Sequence, residues 1–237
     1  MARNEMTTDA TYPLTGTDAE RVSLFLRAVY GWMCVGLVTT ALTAWYVAGS
    51  QTVVTAIVTN RLLFWAIIIA QFGIVIVLST RVQTLASSTA ALLFLAYSAL
   101  TGVTISFVLL AYTGESVAET FVVTAGMFGA LALYGTVTAR SLAGMGHFLF
   151  MGLIGVVIAS VVGIFWHNDA LQFIISFIGV IVFTGLAAYD AQRLKAMALT
   201  VGEREAGASA IVGALALYLD FINLFLFLLR FLGRRRN

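Results

Sequence analysis

Seven runs of nearly uninterrupted apolar residues dominate the chain: Ser23–Val47, Leu62–Leu78, Ala90–Ala111, Val117–Val137, Phe148–Phe165, Phe173–Tyr189 and Ile211–Leu229. An α-helix needs about 20 such residues to cross a bilayer core. The breaks between the runs carry turn or polar residues, among them Gly49-Ser50-Gln51, Ser79-Thr80-Arg81, Thr113-Gly114-Glu115, His167-Asn168-Asp169 and Gly202-Glu203-Arg204-Glu205. A membrane barrel would instead alternate within segments of about 10 residues. The pattern therefore predicts an all-α polytopic membrane protein, a seven-transmembrane-helix bundle. Its connections are too short to hold a soluble domain. Residues 22–237 are expected to form one membrane domain, and residues 1–21, which include the only proline, Pro13, a flexible cytoplasmic tail. That tail lacks the pattern of a cleaved signal peptide. The stretch Thr52–Leu63 is compatible with a helical extension of a neighbouring span, and the sequence leaves its assignment open.

Composition agrees. The chain is 61% hydrophobic and 10% charged, with a mean hydropathy of +0.99, where soluble domains carry about 25% charged residues. A net charge of +2 gives no footprint for nucleic acid. The single cysteine, Cys34, excludes an internal disulfide. His147 and His167 lack metal-ligand spacing and read as loop or helix-end residues. No Ser/His/Asp or Glu/His grouping at catalytic spacing lies at membrane depth, so an enzyme is not expected, nor is a cofactor. The sole lysine, Lys195, sits at a helix end, which excludes a retinal Schiff base within the bundle.

Short-loop arginine and lysine set the orientation. With a cytoplasmic N-terminus, Arg3, Arg21, Arg27, Arg81, Arg140, Arg193, Lys195 and Arg204 all lie inside, and only Arg61 lies outside before the last run. The basic run Arg234–Arg236 breaks this pattern and reads as a headgroup anchor. Either the last run spans fully, or it bends near Asp220–Asn223 and returns. Leu224–Leu232 carries no turn signal, which favours the full span.

The candidate chemistry lies in two aspartates. Asp220 interrupts the run IVGALALYLDFINLFLFLL, and Asp190 lies in GLAAYDAQRLK near the end of the preceding run. A carboxylate at membrane depth costs roughly 2.5–3.5 kcal/mol on insertion scales. At about 100° per residue, Gly213, Ala216, Asp220 and Asn223 share one helix face, and Ser176, Gly179, Phe183, Ala187 and Asp190 another. Two small-residue stripes, each with a carboxylate, are expected to meet. Asp190 is expected about one turn from its inner helix end, and Asp220 ~14 Å from its own. Carboxylates that meet there titrate as a unit and can sense pH. Ionised, they offer oxygen ligands to Ca²⁺, with Asn223 as supporting polar residue, but too few for a tight site. Such a weak site suits a leak better than a buffer. Arg81 and Arg27 are candidate latches to an aspartate; Arg81 is preferred because Arg27 can snorkel to headgroups. The structural alternative is that Asp220 bonds a neighbouring backbone or hydroxyl group, and that Asp190 is simply hydrated.

LYLDFINLFLFLLRFLG (Leu217–Gly233) resembles the closing signature of the Bax inhibitor-one family, the transmembrane Bax inhibitor motif proteins. AYDAQRLK (Ala188–Lys195) resembles its other hallmark. FLRAVYGWMCVGLVTTALTAW and GALALYGTVTARSL resemble its first and fourth helices. The likeness covers nearly the whole chain in the expected order. It implies a seven-helix bundle with the C-terminal helix central, and a pH-sensitive calcium leak gated by a pair of aspartates matching Asp190 and Asp220. It also implies an arginine latch, matched approximately by Arg81. Eukaryotic relatives lower stored calcium and suppress cell death; bacterial ones include modulators of a membrane-bound AAA protease. The short chain, with little beyond the core, looks bacterial. Two departures stand out. Gln71 replaces an acidic residue that some members carry in the second helix, and Ala139-Arg140-Ser141-Leu142 lacks an aspartate that many carry after the fourth.

The leading expectation is a cation (Ca²⁺) leak of the bacterial inner membrane. The rival is a non-conducting regulator that binds a membrane-bound AAA protease or another membrane protein.

Overall fold

The computed structural model describes residues 16–82, 84–166 and 168–236, so most of the expected tail, with Arg3 and Pro13, and also His167 lie outside the described residues. Among the described residues eight helices follow one another: α1 (Gly16–Ala48), α2 (Gln51–Thr59), α3 (Arg61–Thr80), α4 (Ser87–Ala111), α5 (Gly114–Val137), α6 (Ala143–Phe165), α7 (Asp169–Thr200) and α8 (Glu203–Leu232). All but the nine-residue α2 are long and apolar enough to cross a membrane, which makes seven spans.

The helices outrun the apolar runs because backbone hydrogen bonding continues into polar sequence. Residues 16–21, expected in the tail, form the first turns of α1. Helix α7 continues past Asp190 to Thr200, and α8 begins at Glu203. Asp190 therefore lies ten residues, about 15 Å, from the end of α7, and Asp220 seventeen residues, about 25 Å, from the start of α8. Both distances exceed the expected ones. Thr52–Leu63 is not an extension of a neighbour. Asn60 leaves helical geometry (φ −97°, ψ 92°), ends α2, and accepts a hydrogen bond from Leu63 N at 3.1 Å to start α3. Asn168 caps α7 in the same way, its Oδ1 accepting from Ala170 N and Leu171 N.

Helix α8 is central. It packs against α1, α4, α5 and α7, and 72% of its most apolar window is buried, against 6% for α3 and 11% for α6. Helix α3 leans on α4 and α2, and α6 on α7. Large side chains such as Trp45, Leu62, Phe72, Phe148 and Phe165 face outward, as lipid-facing positions do. Close approach depends on glycine. A Cβ on Gly102 of α4 would stand 2.6 Å from Thr40 O of α1, and one on Gly135 of α5 would collide with the Ala188 carbonyl of α7.

Arg21 of α1 donates to Val201 O beside the α7–α8 connection (3.3 Å), so the start of α1 and that connection share one end of the bundle. This end is termed inner below, after the expected orientation. Helix α8 is continuous through Asp220–Asn223 and finishes at the other end, so the last span does not turn back. There the tail is extended and pairs with the α4–α5 connection. Thr113 N donates to Arg234 O (3.0 Å), Arg236 N to Ala111 O (2.9 Å) and Arg234 N to Ser116 Oγ (2.9 Å).

Candidate functional site

The stripes on α7 and α8 pack against each other. Gly179 lies against the Phe227 ring, and Gly213 against Leu194. Ala216, Asp220 and Asn223 of α8 face Phe183, Leu186 and Asp190 of α7 across a cavity of about 760 Å³. Helix α6 supplies the third wall through Gly146, His147, Phe150 and Leu153. Elsewhere along α6 and α7, Gly152 meets Val182 and Gly185 meets Leu149, whereas Gly155 faces open space.

The two aspartates are brought together, their carboxyl groups within hydrogen-bonding reach of each other. Asp220 is 5% exposed, and its Oδ2 is buried with no donor among the described residues. Asp190 is half-buried on the cavity wall. A carboxylate has no proton to give, so two facing carboxyls hydrogen-bond only when a proton sits between them. Otherwise their oxygens must face water or a cation. Neither carboxyl forms an ion pair among the described residues. The alternative, in which Asp220 bonds a neighbouring hydroxyl or backbone N–H, finds no such partner there. Asn223 donates one NH₂ hydrogen to Leu219 O at 2.8 Å, and its carbonyl oxygen is the group it can offer a cation.

Two carboxylates and one amide carbonyl are fewer oxygens than the six to eight that Ca²⁺ takes, so water must complete any shell. No group of three or more His, Cys, Asp or Glu side chains is placed to hold a metal among the described residues.

Arg81 does not line this cavity. It caps α3, with its N–H donating to Val77 O and its carbonyl accepting from Thr84 N, on a helix that leans on α4 and α2. The guanidinium on the cavity wall is that of Arg193, one turn beyond Asp190 and close enough to act electrostatically on it. Arg27 likewise does not line it. Arg193, Tyr189 and His147 are polar residues of the cavity wall that the sequence did not mark as part of the site. The signal for Arg193 was its i, i+3 spacing from Asp190; for His147 there was none, since nothing local says that the start of α6 faces α7.

The inner end of α7 also holds the α5–α6 connection. Leu142 N donates to Gln192 Oε1 (2.7 Å), Gln192 Nε2 to Arg140 O (2.9 Å) and Lys195 Nζ to Thr136 O (2.8 Å). These bonds fix α6 beside the aspartates.

A family model described as "Inhibitor of apoptosis-promoting Bax1" matches residues 22–237. The inner membrane protein YbhL of Escherichia coli K12 is 52% identical over 215 residues, covering 90% of this chain and 92% of that protein. An uncharacterized protein of Borreliella burgdorferi is 46% identical over 90% of this chain and 93% of its own length. An uncharacterized membrane protein of Streptococcus pyogenes is 36% identical over 78% and 80%.

Proposed function

This chain belongs to the Bax inhibitor-1 family, and from that premise we propose that it is a pH-sensitive calcium leak of the bacterial inner membrane, with its N-terminus cytoplasmic. The carrying observation is the pair Asp190–Asp220. It lies at membrane depth, in contact, without an ion-pair partner, at the wall of a cavity of about 760 Å³.

Two charges held together away from water repel, and Arg193 offsets this from the Asp190 side alone, without forming an ion pair. A shared proton relieves the repulsion and holds the helices closed around the pair. A cation relieves it too, and the weak, water-completed donor set would let that cation leave again. Proton and calcium thus compete for the same oxygens, and this gives a leak its pH dependence. Arg193 is the arginine placed to respond. Its attraction to Asp190 holds while that carboxylate is ionised and falls when it takes up a proton. The inner-membrane location is supported by the kinship with YbhL together with the seven spans.

The test is calcium flux into proteoliposomes carrying the purified full chain, scanned from neutral to mildly acidic pH beside Asp190→Asn and Asp220→Asn. The proposal requires a pH-dependent flux that either substitution abolishes. Folded protein without flux at any pH would instead favour a non-conducting regulator of another membrane protein.

A further inference from the structure

A second cavity, of about 580 Å³, lies at the outer end of the same α7–α8 seam, lined by Gln172 and Ser176 of α7, Arg230 of α8 and Arg235 of the tail. Between the two cavities the seam is unbroken. On α7 the residues run Gln172, Ser176, Gly179, Phe183, Leu186, Asp190. On α8 they run Asp220, Asn223, Phe227, Arg230. Steps of three or four residues keep each series on one face. Midway, the rings of Phe183 and Phe227 stack, with centroids 5.7 Å apart and planes 27° apart. Both are buried, and the Phe227 ring is pressed onto Gly179, where an added Cβ would stand 2.7 Å from it. The Arg230 guanidinium sits over Phe227, 6.0 Å from the ring centre.

We infer that the Phe183–Phe227 stack is the dry barrier of the leak, that the outer cavity is its external mouth, and that Arg230 is an electrostatic filter that discriminates against divalent cations. The inference rests on the leak reading. An apolar constriction closes a pore by excluding water, so an ion cannot pass until the rings part. Of the charged residues lining the outer cavity, Arg230 and Arg235 form no ion pair among the described residues, and Asp169 is the one carboxylate. The mouth is therefore net positive. A fixed positive charge repels a divalent ion twice as strongly as a monovalent one.

The test measures calcium and potassium flux in proteoliposomes. Phe227→Ala and Phe183→Ala are expected to raise both fluxes several-fold at the pH where the wild type is closed. Arg230→Gln is expected to raise calcium flux relative to potassium. Because deleting a core ring can unfold the bundle, Gly179→Ala gives an independent reading: its methyl presses on Phe227, and flux is expected to fall. Thiol labelling is a second, in a Cys34→Ser background. At the closed pH, a membrane-impermeant reagent should reach Gln172→Cys only from the outer side and Asn223→Cys only from the inner side. Labelling of either from both sides overturns the barrier. So does unchanged flux in the Phe183, Phe227 and Gly179 variants while Asp220→Asn still abolishes the leak, an outcome that leaves the leak reading standing. An unchanged calcium-to-potassium ratio in Arg230→Gln overturns the filter. Absence of wild-type flux overturns barrier and leak together.

Discussion

The Tyr218 hydroxyl lies 2.6 Å from the Thr40 hydroxyl, joining the central helix α8 to α1. Thr40 Oγ1 also donates to Ser98 O of α4 at 2.9 Å, so its one proton is committed there and Tyr218 is the donor to Thr40. Phe94 and Tyr97 meet the Tyr218 ring edge-on, with centroids 5.7 and 5.9 Å away. Two residues further along α8, on the far side of the helix, Asp220 faces α7. One face of α8 thus carries a satisfied polar network that binds three helices. The other carries a carboxyl left without a donor.

That division predicts separable effects. Tyr218→Phe removes one intramembrane hydrogen bond and should cost on the order of 1 kcal/mol. Thr40→Val should cost more, because it removes two hydrogen bonds at once, the one from the tyrosine hydroxyl and the one to the Ser98 carbonyl. Reversible unfolding in mixed micelles measures both, and flux should keep its pH profile. A Tyr218→Phe flux as low as that of Asp220→Asn would show that the two faces are not independent.

Gly135→Ala should be strongly destabilising. The new methyl would strike the Ala188 carbonyl, a backbone atom that cannot rotate away, and overpacking of this kind costs about 1–3 kcal/mol. Ala188 is also two residues from Asp190, so any backbone retreat disturbs the pair. Gly155→Ala meets nothing within 4 Å and should be neutral or slightly stabilising, since alanine is favoured over glycine in a helix by roughly 0.5–1 kcal/mol. Thermal denaturation in detergent ranks the two; equal midpoints would contradict the close α5–α7 packing.

Arg193→Ala should lower the leak at neutral pH, because Arg193 lines the aspartate cavity and its positive charge opposes the shared proton that holds the pair closed. Arg81→Ala should leave the profile close to wild type, because Arg81 caps a peripheral helix. Flux measured for both variants across pH decides between them. A flattened profile in Arg81→Ala alone would restore the latch expected from the family resemblance.

Arg234 lies 3.6 Å from Glu119 and 3.9 Å from Glu115, all three largely exposed. Exposed pairs are worth at most about 1 kcal/mol, so Arg234→Ala should barely shift stability. Truncation after Gly233 should do more, since it removes the backbone pairing with Ala111, Thr113 and Ser116. Faster exchange of the Thr113 amide in the truncated chain, but not in Arg234→Ala, would confirm that the backbone rather than the charge fastens the tail.

The sequence by itself determined the seven spans, because crossing a bilayer demands about 20 apolar residues wherever the helix sits in the bundle. It also singled out Asp190 and Asp220, because a carboxylate in an apolar run is costly in any packing arrangement. Their approach on facing stripes of α7 and α8 followed from helical spacing. The centrality of α8 came through the family resemblance rather than from hydropathy. Only the tertiary structure decided that Thr52–Leu63 holds a separate short helix, that α6 and His147 wall the cavity, that Arg193 rather than Arg81 stands beside Asp190, and that Phe183 stacks on Phe227. The physical reason is that lipid tails are as apolar as leucine, so a lipid-facing run and a core-facing run read alike in one dimension. What separates them is which helix stands opposite, and that is settled by close packing at residues such as Gly102, Gly135 and Gly179, whose partners lie dozens of positions away in the chain.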